Sequence, residues 1–76
     1  MKLYEYNDIV YMNKADAQSA ADRCLRSAMA TTSHEFYYIW NPDPIVDTTV
    51  CGFIWRGTMA ADNVTITADI IERVVS

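Results

Sequence analysis

The sequence predicts an α+β fold: a small antiparallel sheet of three to four strands packed by one alanine-rich helix, with a short helix at the carboxyl end. Three observations carry that prediction. Residues 14–30 repeat apolar side chains with helical spacing, residues 35–40 (EFYYIW) alternate with strand spacing, and a second alternating segment follows a proline-rich break. The chain has 76 residues, 51% of them hydrophobic and 21% charged, with two glycines and two prolines, which is the profile of one folded domain over 1–76 rather than of a disordered or linker-like chain.

Each element has a local cause. Residues 2–12 (KLYEYNDIVYM) are rich in aromatic and β-branched types suited to a pleated surface, with Tyr4 and Tyr6 on one face and Leu3 and Glu5 on the other. Asn7-Asp8 interrupts them, either as a hairpin turn or as a bulge in one long strand. Asn13 is a good N-cap, and Asp16 places negative charge at the positive end of the helix dipole. Ala17, Ala21, Cys24, Leu25 and Ala28 then form one apolar stripe, while Lys14, Gln18, Asp22, Arg23 and Arg26 face water. Such small side chains let the helix approach a sheet whose own side chains are large.

Thr31-Thr32-Ser33 reads as a polar connector. In the strand that follows, Phe36, Tyr38 and Trp40 point one way and Glu35, Tyr37 and Ile39 the other. Asn41-Pro42-Asp43-Pro44 stops it, because proline lacks a donor and Asn and Asp bond back to their own backbone. A strand over about 47–56 would complete a hairpin around that loop. Val64-Thr65-Ile66 starts a further strand; beyond it Ile70, Ile71, Val74 and Val75 opposite Glu72 and Arg73 form a helical stripe with Thr67 as its cap, while their β-branching argues for strand as the alternative to that short helix.

Area scaling gives a folded surface of roughly 4,700 Å² against roughly 12,500 Å² unfolded, so about 60% is buried. That is a thin margin for a chain of this size, and a metal, a disulfide or a partner subunit would widen it. Cys24 and Cys51 both sit in apolar patterns and are expected as buried free thiols in a reducing cytosol. His34 is the only histidine, and the paired short spacings of a zinc site are missing, so neither metal nor cofactor is expected. A second copy remains as the external stabiliser.

The net charge of −4 is unevenly placed. Up to Ser33, Glu5, Asp8, Asp16 and Asp22 balance Lys2, Lys14, Arg23 and Arg26; beyond it, Glu35, Asp43, Asp47, Asp62, Asp69 and Glu72 face only Arg56 and Arg73. This acidic half suits a protein partner with a basic surface and disfavours direct contact with nucleic acid, whose phosphates need a basic footprint. No run of residues is long and apolar enough to span a membrane, and the first residues lack a secretory pattern, so the expected compartment is the cytosol. No nucleophile motif, phosphate-cradling glycine loop or calcium loop occurs, and Cys24 with His34 is the only thiol-base pair to weigh. The expectation is therefore a non-enzymatic protein.

Nine aromatic residues exceed what so small a core can hold, and Tyr and Trp dominate interface hot spots. The candidate interface residues are Glu35, Tyr37, Trp40, Asp43, Asp47 and Asp62. In outline, from the strand at Lys2 through the helix at 14–30 to the aromatic segment 35–56, the chain resembles the phage-encoded anti-CRISPR proteins that inhibit type I systems. That resemblance implies stoichiometric binding to a CRISPR effector subunit in the host bacterial cytosol, blocking DNA binding or nuclease recruitment. The alternative expectation is a small self-associating structural or assembly protein of phage or bacterial origin, with a homodimer as its simplest form.

Overall fold

The computed structural model describes residues 1–30, 37–47, 52–61 and 64–75. Its elements are β1 (Lys2–Tyr6), β2 (Ile9–Tyr11), α1 (Lys14–Ala30), β3 (Tyr37–Trp40), β4 (Ile45–Asp47), β5 (Gly52–Ala61) and β6 (Val64–Val74). The fold is α+β, one helix on a six-stranded antiparallel sheet ordered β2-β1-β6-β5-β3, with β4 also paired to β5.

Two of the additional strands come from interruptions. At Asn7-Asp8 the hairpin alternative is realised: both residues have positive φ, 54° and 67°, and Tyr6 pairs with Ile9 across a two-residue turn. The proline segment, however, is not the hairpin loop. Trp40 lies opposite Gly57 and Ile45 opposite Ile54, so β3 and β4 are two pieces of one arm laid along the same edge of β5. Asn41 to Pro44 occupy the space opposite only Trp55 and Arg56, held by the Asn41 amide donating to the Arg56 carbonyl at 2.9 Å. Because Asp47 pairs with Gly52, the chain reverses between those two residues.

The carboxyl-terminal helix is also corrected to strand. β6 runs eleven residues at the centre of the sheet, bonded to β5 from Val64 to Glu72 and to β1 from Ile71 to Val74. Val, Ile and Thr favour this extended form, and two neighbouring strands satisfy its backbone on both sides. The chain ends are clasped: the Met1 ammonium donates to the Val75 carbonyl and the Val75 amide to the Met1 carbonyl, at 2.9 and 2.7 Å.

The helix starts where its cap predicts. Asn13 Oδ1 accepts from the Asp16 amide at 2.9 Å, and Asn13 Nδ2 donates to the Asp16 carboxylate at 3.0 Å. Its buried residues are Ala17, Ala20, Ala21, Leu25 and Met29, of which all but Ala20 pack in one cluster with Met59, Ala68 and Ile70. Large rings widen this core on both flanks, Tyr6 and Tyr11 on one and Tyr38 and Trp40 on the other. Cys24 and Ala28, expected inside, are exposed, because the buried line follows 17, 21, 25 and 29 and leaves them on the flank facing the β1–β2 hairpin. Lys14, expected in water, is half-buried with its ammonium 3.6 Å above the Trp55 ring. Cys51, His34 and the connector Thr31-Thr32-Ser33 lie outside the described residues.

Two substitutions test this arrangement. A Cβ on Gly57 would meet the Trp40 ring at 2.9 Å, so Gly57→Ala should displace that ring and destabilise the fold by about 1–3 kcal/mol, read by denaturant unfolding monitored by tryptophan fluorescence. Asp8→Gly relieves a left-handed backbone at the hairpin turn and should raise stability by about 0.5–1 kcal/mol in the same measurement.

Candidate functional site

Strand alternation divides the sheet into a covered and an open face. Toward the helix point Tyr4, Tyr6, Tyr38, Trp40, Trp55, Met59 and Ile70. Among them lies a buried carboxylate: Glu72, 5% exposed, sits directly opposite Tyr4 and Phe53 and accepts a hydrogen bond from Trp55 Nε1 at 3.2 Å. The Tyr4 hydroxyl is raised above its ordinary pKa by burial and by its hydrogen bond to Glu72. These donors are what make the carboxylate tolerable away from water.

The open face carries Glu5, Val10, Tyr37, Ile39, Ile45, Ile54, Arg56, Asp69, Ile71 and Arg73. Tyr37 is 83% exposed and Ile39 61%. The two arginines of the acidic half are engaged here, Arg56 with Asp69 at 2.8 Å and Arg73 with Glu5 at 3.6 Å. The Asp69 carboxylate, by hydrogen bond and charge, raises the Arg56 pKa. Neither arginine is therefore spent on Asp43, which is exposed in the proline turn and makes no ion pair among the described residues.

The six interface residues expected from sequence are thus distributed unequally. Asp43 lies exposed in the turn between β3 and β4; Val46, 70% exposed, sits opposite Phe53 on the helix-side face, and Asp47 closes β4 opposite Gly52. Tyr37 opens β3 on the uncovered face. Trp40 is on the opposite face, half-buried and edge-on to Tyr38, with ring centroids 5.9 Å apart, so it serves packing and does not stand beside Tyr37. Glu35 and Asp62 lie outside the described residues. Sequence reasoning passed over Ile39, Ile45, Ile54 and Ile71, although the alternation that placed Tyr37 and Ile39 together was the signal for them.

A third feature is a groove of about 540 Å³ between α1 and the β1–β2 hairpin, lined by Tyr6, Tyr11, Arg23, Cys24 and neighbours. Burial, and then its hydrogen bond to Cys24, push the Tyr6 hydroxyl up to about 12, so at neutral pH it keeps its proton and gives the thiol no base. Among the described residues no three His, Cys, Asp or Glu side chains converge as metal ligands.

Neither protein-family models, nor curated proteins, nor solved structures give any match to this chain. The site is therefore argued from its own geometry. Among the described residues no helix is long and apolar enough to cross a membrane.

Tyr6 yields a pH prediction. Its folded-state value of about 12 exceeds the ordinary 10.0, so the folded protein holds a proton that the unfolded chain releases. Stability is fully present below pH 10 and declines as pH rises toward 12. In Tyr6→Phe, denaturant midpoints should fall less steeply over that window, and the latest-ionising of the five tyrosines should vanish from the ultraviolet titration.

Proposed function

We propose that this chain is a non-enzymatic protein-binding protein, a stoichiometric inhibitor that occupies a basic surface on a nucleic-acid-handling complex such as a CRISPR effector. The observation that carries the reading is the uncompensated acid at the proline turn. With Arg56 held by Asp69 and Arg73 by Glu5, Asp43 is left to project its charge from the proline turn, on an arm that also carries Asp47, exposed Val46 on the helix-side face and the exposed ring of Tyr37 on the open face. Such a rim combines long-range attraction for a basic partner with apolar and aromatic contact area at short range. The cytosol is the compartment in which that partner would be met.

A second reading, self-association, is favoured by a different observation, the uncovered apolar face of the sheet. The inhibitor reading centres on the proline turn and self-association on the apolar row of the open face, a face that also carries Tyr37 and Asp47.

The inhibitor reading is tested by capture of purified type I effector complexes on the immobilised chain. Asp43→Lys with Asp47→Lys should weaken capture at least about tenfold at low salt and flatten its salt dependence, while Tyr37→Ala should speed dissociation. Undiminished capture by the charge-reversed form would remove the rim from the interface.

A further inference from the structure

We infer that the open face of the sheet is an interface between two copies of this chain, packed sheet to sheet about a two-fold axis that runs across the strands through Ile71. This goes beyond the inhibitor reading and centres on an apolar row that reading does not use.

The register supplies the first argument. Val10 lies opposite Glu5, Glu5 opposite Ile71, Ile71 opposite Ile54 and Ile54 opposite Ile45, so one straight row crosses β2, β1, β6, β5 and β4. Four of its five members are apolar β-branched side chains. Val10 is 55% exposed and Ile45 37%, and Ile54 and Ile71 belong to no part of the helix-side core.

Charge supplies the second. On β6 the row passes through Ile71, with Asp69 two residues before it and Arg73 two residues after, each about 6.7 Å along the strand. A two-fold axis along the row exchanges those positions. It sets Arg73 of each copy over Asp69 of the other, across sheets packed about 10 Å apart, a gap that an arginine side chain can bridge. Four charges of the face, Glu5, Arg56, Asp69 and Arg73, pair off within each chain, and by register Asp47 adds one negative charge at the β4 margin, away from the Asp69–Arg73 exchange on β6. Glu5, the charged member of the row, keeps its own Arg73 at 3.6 Å when it faces its symmetry mate.

Size supplies the third. The chain exposes 5188 Å², about 500 Å² more than the roughly 4,700 Å² expected for a folded monomer of this mass. Its radius of gyration, 13.1 Å, also exceeds the roughly 11 Å of a compact chain of this length. A row five residues long covers less than the roughly 800 Å² that each partner contributes to a standard interface, which places the dimer among the weaker, reversible ones. The occupant that fits is another copy of the same face.

Sedimentation equilibrium between about 1 μM and about 1 mM tests this, the span in which an interface of this size associates. The wild type should pass from monomer to dimer. Asp69→Arg alone and Arg73→Asp alone should each weaken association at least tenfold, with unchanged circular dichroism. Mixing those two variants should restore dimers, because one then presents two positive and the other two negative side chains. The double variant Asp69→Arg with Arg73→Asp should also recover, although it sets Arg56 against an arginine and Glu5 against an aspartate within each chain. A role confined to the intrachain pairs would make that double variant the weakest of all and give no rescue on mixing, and either result overturns the interface. So does a wild type that stays monomeric throughout. If such a monomer still captures its basic partner through Asp43, the inhibitor reading survives the loss of the dimer. A wild type that dimerises as described but captures nothing upholds the interface and removes the inhibitor reading.

Discussion

One narrow helix has to cover a sheet five strands wide. A helix with its side chains is about 10–12 Å across, whereas five strands at about 4.8 Å spacing span roughly twice that. The chain meets this constraint by composition. Ala17 and Ala21 let α1 settle close to the centre of the sheet, and rings from the outer strands reach inward to fill both flanks. The aromatic content that looked like a surplus in the sequence is largely the lateral wall of a core too broad for its roof. The same constraint explains the buried Glu72: where the roof ends, near Lys14, the sheet is closed by Trp55, Tyr4 and a carboxylate they hydrogen-bond, with an ammonium above the indole.

The second face has no roof within the described residues. Its apolar row and balanced ion pairs give it a character unlike that of the acidic turn. The cross-strand bonds of Arg56 and Arg73 serve both surfaces at once. They pair off Asp69 and Glu5 on the face that carries them and withhold their charge from Asp43. An axis along the row would also leave both proline turns on the same side of a dimer. Two acidic rims would then face one way, and a partner with repeated basic subunits would engage them together, with the gain in avidity that linkage provides.

The helix was legible from 14 to 30, cap included, because a one-sided roof imposes a one-sided stripe. β1 and the face assignments of Tyr4, Tyr6, Tyr37 and Tyr38 were legible for the same reason at a period of two. β6 was not. Its open face carries Ile71 and its covered face Ile70, so apolar side chains fall on both sides and adjacent isoleucines imitate a helical stripe. The proline segment misled for another reason: two prolines with Asn and Asp are compatible with a reversal and with a local excursion, and only the pairing of Trp40 with Gly57 and Ile45 with Ile54 separates them. Of the candidate site, the acid at position 43 could be read directly, whereas the opposing placement of Tyr37 and Trp40 shows that proximity in sequence is a poor guide within a strand.

The excursion at Asn41 to Pro44 bears on how assembly would end. A sheet that exposes apolar residues invites neighbours to add strand to strand at its margins and grow without limit. Here one margin is a three-residue strand, and the other is cut into segments of four and three residues by a turn whose two prolines cannot donate. Neither offers the long unbroken ladder that filament growth requires. Were the open faces to pair about the proposed two-fold axis, the contact would use up the available surface, and crowding would end in a closed pair instead of a fibre.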